Sequence, residues 1–132
     1  MKYILDTHAL ICFLEGNSRL GASAQAILSE PTSELILPAI TLAESVWIVS
    51  RGKTSIPSVE ALLTVVSYDS RVTIYPLDQT VIEQTVTLLA IHEMHDRQIV
   101  ATALVIQAQG EQVTLLTYDQ NITAANLTNI VW

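Results

Sequence analysis

Short, nearly continuous apolar runs alternate with stretches of helical periodicity along this chain, and that alternation leaves few folds open. Lys2–Leu5, Glu34–Leu37, Val72–Tyr75 and Val113–Thr117 read as strands, the first and last as buried ones. Between the first two, Thr7–Glu15 carries Leu10, Ile11 and Leu14 at helical spacing and stops at Gly16-Asn17. The spacing predicts further helices over 22–29, 41–50, from near Pro57 to 68, and over 80–91. A long apolar helix runs from Asp96 through Gln109, with Gly110 as the residue that ends it. A short helix after Asn121 and an edge strand over 129–132 complete the pattern. Strands alternating with helices predict a three-layer α/β/α sandwich with a mainly parallel central sheet. No linker, repeat or low-complexity tract interrupts it, so residues 1–132 are expected to form a single domain.

Half of the residues are hydrophobic and only 14% are charged, which excludes general disorder. No apolar run approaches the roughly 20 residues needed to span a bilayer. The segment from Lys2 to Leu14 is interrupted by Asp6 and His8 and lacks a signal-peptide core, so a cytoplasmic protein is expected. Cys12 is the only cysteine. It rules out an internal disulfide and a Cys-based zinc site, and is expected to be a small core residue on the first helix.

Four acidic residues punctuate the pattern, each at the start of an expected helix: Asp6, Glu44, Asp96 and Asp119. Each has a structural explanation on its own. Asp is a preferred N-cap, which suits Asp6, Asp96 and Asp119, and Thr41-Leu42-Ala43-Glu44 has the form of a capping box. Capping does not require acids to share a sheet edge, however. Asp6 and Asp119 follow strands, and if those strands are neighbours their carboxylates converge where open α/β sheets bind ligands. Converging carboxylates repel, so such a group calls for a cation or for protonation. Mg²⁺ or Mn²⁺ fits an all-oxygen ligand set, and such an ion suits phosphodiester hydrolysis. Competing chemistries lack their residues: there is no Ser-His-acid order, no G-x-x-x-x-G-K loop, and His8 stands where an aspartyl-phosphate hydrolase needs a second Asp.

At this point the residues resemble a known family. Asp6-Thr7-His8-Ala9-Leu10, the helix bearing Glu44, His95-Asp96-Arg97-Gln98-Ile99-Val100-Ala101-Thr102-Ala103 and Leu116-Thr117-Tyr118-Asp119 look like the PIN domain. The nearest group is the VapC-type toxins of bacterial toxin–antitoxin pairs, and the likeness extends over nearly the whole chain. It implies a parallel sheet of order 3-2-1-4-5 and a metal-dependent endoribonuclease using Mg²⁺ or Mn²⁺. By position, Asp6, Glu44 and Asp96 match the three metal-binding acids, and Asp119 matches a more variable fourth. The resemblance also implies a homodimer and a cognate antitoxin that neutralises the site, often with a basic side chain. Two features depart from the family. Relatives often carry an Asp-Pro element before the third acid, where this chain has His92-Glu93-Met94-His95, and many are less acidic.

Around these acids, Thr7 and Thr117 are candidates to orient ligand carboxylates, and Arg97 to hold Asp96 by an ion pair. The formal charge of −7 opposes phosphate binding, and the chain has only six Lys and Arg residues. Arg51 and Lys53 form the one close basic pair and are the candidate RNA contacts, although a helix C-terminus accounts for them equally well. Two other functions stay open at this stage. One is a non-catalytic PIN-like module that binds RNA or a protein partner; the other is a nuclease acting on DNA.

Overall fold

The computed structural model describes residues 1–132. The central strand is β1 (Lys2–Leu5), flanked by β2 (Glu34–Pro38) and β4 (Val113–Leu116). Outside these lie β3 (Val72–Tyr75) and β5 (Ile130–Val131), giving five parallel strands in the order β3-β2-β1-β4-β5. The expected order 3-2-1-4-5 is therefore the observed one. No helix is long and apolar enough to cross a membrane.

Strand alternation explains why the runs are apolar on both sides. Ile4, Ile36 and Leu115 enter a core with Val81, Ile99, Val100 and Ile106, from α5 (Gln79–Thr85) and α6 (Met94–Ala108). Their neighbours Leu5, Leu35, Leu37 and Leu116 face the opposite core, built with α1 (Thr7–Glu15), α2 (Ala22–Ser29) and α4 (Val59–Tyr68). Parallel sheets covered on both faces lose the polar side of the alternation. Leu115 is fully buried, and burying a side chain of that size contributes about 1.5–3 kcal/mol. Cys12 lies buried within the second core, as expected.

Between the layers runs α3 (Ala39–Ser50), which contributes Ile40 to one core and Val49 to the other. The last short helix, α7 (Gln120–Ala125), buries Ile122 against the first core. Thus α1 leaves β1 toward one face while α7 leaves β4 toward the other. The crevice between them is the point where strand order reverses, the usual ligand site of an open α/β sheet.

Three local expectations are corrected. The helix expected over 80–91 is regular only over Gln79–Thr85. Beyond it, Leu88 bonds back to Thr85 and Ile91 to Leu88, so tight three-residue turns carry Leu88 and Ile91 into the core. Asp96 does not cap α6. The helix begins two residues earlier, Glu93 is the cap, and its Oε2 accepts the Asp96 N–H at 2.9 Å. The capping box at Thr41 does not form either, because α3 starts at Ala39. Thr41 instead donates its hydroxyl to the Leu5 carbonyl at 2.9 Å, tying α3 to the end of β1.

At the carboxyl end of β5 stands Trp132, whose Nε1 donates to the Arg19 carbonyl at 3.1 Å. A Cβ added at Gly21 would sit 2.2 Å from the main-chain carbon of Trp132. Gly21 has φ −63°, which any residue adopts, so the requirement for glycine is one of space alone. Gly21→Ala is expected to destabilise the fold by about 1–3 kcal/mol through overpacking. Urea unfolding checks this; an unchanged midpoint would mean that the terminal segment moves aside freely.

Candidate active site

Asp6 follows β1 directly and is 4% exposed. Its Oδ1 accepts the Ala9 N–H at 2.7 Å, which makes it the N-cap of α1. Asp119 follows β4 and caps α7 in the same way, accepting the Ile122 N–H at 2.9 Å. The β1–β4 register pairs Leu5 with Leu116, and the Asp6 N–H continues the ladder to the Leu116 carbonyl. Both acids therefore leave the same sheet edge. Between them, the Thr117 hydroxyl accepts the Asp119 N–H at 3.1 Å, and its proximity to Asp6 favours the charged carboxylate.

Glu44 arrives from α3. Its Oε1 accepts the Thr7 hydroxyl at 2.9 Å, and its Oε2 lies 3.1 Å from His95 Nδ1. The same His95 nitrogen is 3.2 Å from Glu93 Oε1. A histidine in the first turn of α6 thus spans a carboxylate of α3 and the cap of its own helix. Asp96 stands beside it in the first turn of α6, where the helix N-terminus favours negative charge.

The electrostatics register how closely these acids face one another. Asp96 is pushed up to about 7, first by burial and then by the charges of Asp119, Glu93, Glu44 and Asp6. Asp6 is also raised, chiefly by burial, with Asp119 adding to it. Hydrogen bonds from Thr117 and Ala9, and the nearby His8, work in the opposite direction. The four expected site acids share one field, and Glu93 is a fifth member that the sequence reading did not select. Its signal was available: an acid three residues before Asp96 at the head of an apolar helix is a capping position.

Of the supporting residues, Thr7 holds Glu44, and Thr117 holds the Asp119 main chain while favouring the charged form of Asp6. Arg97 does not pair with Asp96. Successive helix residues point about 100° apart, and the Arg97 Nε–H turns away to the Ile91 carbonyl. Arg51 is exposed, with its guanidinium 4.7 Å above the Trp47 ring, and Lys53 is exposed in the loop beyond α3. An open cleft of about 460 Å³ lined by Ile40, Ala43, Glu44, Trp47, Ile48 and His95 runs along α3.

No three His, Cys, Asp or Glu side chains are drawn tightly enough together to enclose an ion. The chemistry of the donor set still fits a hard divalent cation: all four acids offer oxygen, and Asp96 is destabilised by unneutralised neighbours. Mg²⁺ commonly keeps several waters and takes only one or two carboxylates directly, so a closed cage is not required.

A parallel α/β sandwich with acids gathered where its strand order reverses defines a narrow class of proteins. The chain belongs to the PIN domain family, whose family model matches residues 3–126. No curated protein sequence matches it. Among solved structures it is similar to VapBC2 from Rickettsia felis bound to a DNA fragment from their promoter, with TM-score 0.71 and 17% identity over 99% of this chain and 98% of that one. A toxin–antitoxin complex from Klebsiella pneumoniae gives TM-score 0.69 and 20% identity, over 98% and 96% of the two chains. VapC20 of Mycobacterium tuberculosis, a toxin that cleaves the sarcin–ricin loop, gives 0.64 and 18%, over 93% and 94%. At these identities the likeness establishes a shared fold.

Proposed function

We propose that this chain is an endoribonuclease dependent on Mg²⁺ or Mn²⁺, and the toxin of a toxin–antitoxin pair. The observation that carries this reading is the gathering of Asp6, Glu44, Asp96 and Asp119 from four separate segments at the switch point of the sheet. Membership of the PIN family and the shared fold with a toxin–antitoxin complex and an RNA-cleaving toxin support it.

Asp6, Glu44, Asp96 and Asp119 would hold the metal. When bound, a divalent ion there supplies an activated water and neutralises charge on the departing oxygen. The chain's own contribution is placement. The Ala9 N–H holds Asp6, Thr117 holds the start of the Asp119 turn, Thr7 and His95 fix both oxygens of Glu44, and Glu93 anchors the turn that presents Asp96. Arg51 and Lys53, beyond the cleft along α3, are the candidate contacts for RNA phosphates. The same cleft holds Glu44 and is walled by Trp47 and Ile48, so it suits an apolar antitoxin segment with a basic side chain. Trp47, Leu63 and Val65 remain exposed on α3 and α4, which supports a homodimer; a monomer by light scattering would remove that part of the reading.

The test is cleavage of a mixed RNA pool by purified, antitoxin-free protein with Mn²⁺, Mg²⁺ or EDTA, alongside an Asp6→Asn/Asp96→Asn variant and a single-stranded DNA competitor. Cutting is expected only with metal and only by the unmutated protein. Equal cutting by the variant would overturn the mechanism. Folded protein that cuts nothing would favour the non-catalytic binding module, to which the net charge of −7 also lends weight.

A further inference from the structure

A row of aromatic rings borders the acids and has no part in holding them. His8, immediately after the Asp6-Thr7 pair, meets Tyr118 edge-on with ring centroids 5.4 Å apart. Tyr118, next to Asp119, meets Trp132 at 4.9 Å. Trp132 is fixed from behind by its bond to the Arg19 carbonyl and by close packing on Gly21. Tyr118 is nevertheless 50% exposed and His8 is exposed, so a large aromatic surface stays wet beside the most buried carboxylate of the site. Its hydroxyl enters no hydrogen bond within the chain, so the ring is not held there by a polar contact.

We propose that Tyr118, with His8 beside it and Trp132 behind it, is a stacking platform for an unpaired nucleobase next to the phosphate that is cut. This rests on the nuclease reading above and deepens it by naming the residues that would contact a base of the substrate. Charge supplies the second line of argument. With six Lys and Arg against thirteen Asp and Glu, the chain has few groups to hold a phosphate backbone, so affinity must come from elsewhere. Base–aromatic stacking is independent of phosphate charge and tolerant of sequence, because every base has a π face. It also requires the base to be out of a duplex, since a paired base is already stacked on its neighbours. Trp132, tilted 50° to the Tyr118 ring at 4.9 Å, limits the motion of a ring that stays half exposed.

The experiment measures binding of short unstructured RNA by fluorescence anisotropy in an Asp96→Asn background, which separates binding from turnover. Tyr118→Ala is expected to weaken binding about tenfold, Tyr118→Phe to stay within about twofold of the parent, and an abasic residue at the bound position to mimic Tyr118→Ala. In the active protein, Tyr118→Ala should raise KM far more than it lowers kcat, with duplex RNA left uncut. Circular dichroism checks that each variant is folded. Unchanged binding by folded Tyr118→Ala, or an equal loss in Tyr118→Phe, would overturn the platform while leaving the nuclease standing. Absence of cutting together with intact, Tyr118-dependent RNA binding would overturn the nuclease and leave the platform.

Discussion

Replacing Asp96 with Asn should lower RNA cleavage by at least about a hundredfold and, at the same time, make the metal-free protein more stable. Residues that merely support a metal ligand change affinity or activity by about 10–100-fold, so loss of a ligand carboxylate should exceed that range. The gain in stability follows from the direction of its pKa. Asp96 is pushed from 3.8 up to about 7, by burial first and by Asp119, Glu93, Glu44 and Asp6 after it. Between those values the folded state keeps a proton that the unfolded chain has released. Stability therefore falls as pH rises from about 4 to about 7, and the full penalty persists above. The whole difference corresponds to about 4 kcal/mol, and partial exposure of Asp96 to solvent reduces it to about 1–2 kcal/mol. Asn carries no charge, so the variant should gain at pH 8 and little at pH 4. Urea unfolding in EDTA at the two pH values reads this directly. A variant less stable than the parent at pH 8 would contradict the repulsion.

A divalent ion should relieve the same repulsion. At about a hundred times its Kd, Mn²⁺ is expected to stabilise the folded chain by about 2.7 kcal/mol, which for a domain of this size raises Tm by roughly 10 °C. Potassium chloride at equal ionic strength should do far less, because screening acts weakly on partly buried charges. The Asp6→Asn/Asp96→Asn variant should lose most of the Mn²⁺ effect. Equal shifts in both proteins would place the ion elsewhere on this acidic surface. This measurement needs no substrate, so it separates metal binding from catalysis.

Much of the fold was legible because local and global signals agree. The runs around Ile4 and Leu115 are apolar on both faces since both faces are covered, and Asp6, Gly16 and Gly110 mark the ends of neighbouring helices in the way that capping chemistry predicts. The segment after Thr85 was misread because Leu88 and Ile91 are compatible with a helix period as well as with the tight turns that carry them inward.

At the site, the identity of the acids was legible and their surroundings were not. Asp6 and Asp119 serve as caps while facing the cluster, so the structural explanation and the functional one coexist at those positions. Glu44 and Asp96 are relieved of capping, by the earlier start of α3 and by Glu93. The bridge from His95 to Glu44, and the bond from Thr7 to the same carboxylate, join residues far apart in sequence and leave no local trace. Arg97 illustrates the converse: adjacency to Asp96 in sequence suggested a pair that helical geometry prevents.

The position of β1 has a consequence for the order in which the molecule can be assembled. The first strand to be made is the centre of the sheet, yet one of its two neighbours is β4, contributed by residues 113–116. Pairings between such distant segments form late, because the intervening loop must first be closed. During synthesis Asp6 emerges early and waits, and Asp119, which follows β4, can join it only when β4 has docked. A chain in which β4 has not yet docked thus carries Asp6, Glu44 and Asp96 without the complete site.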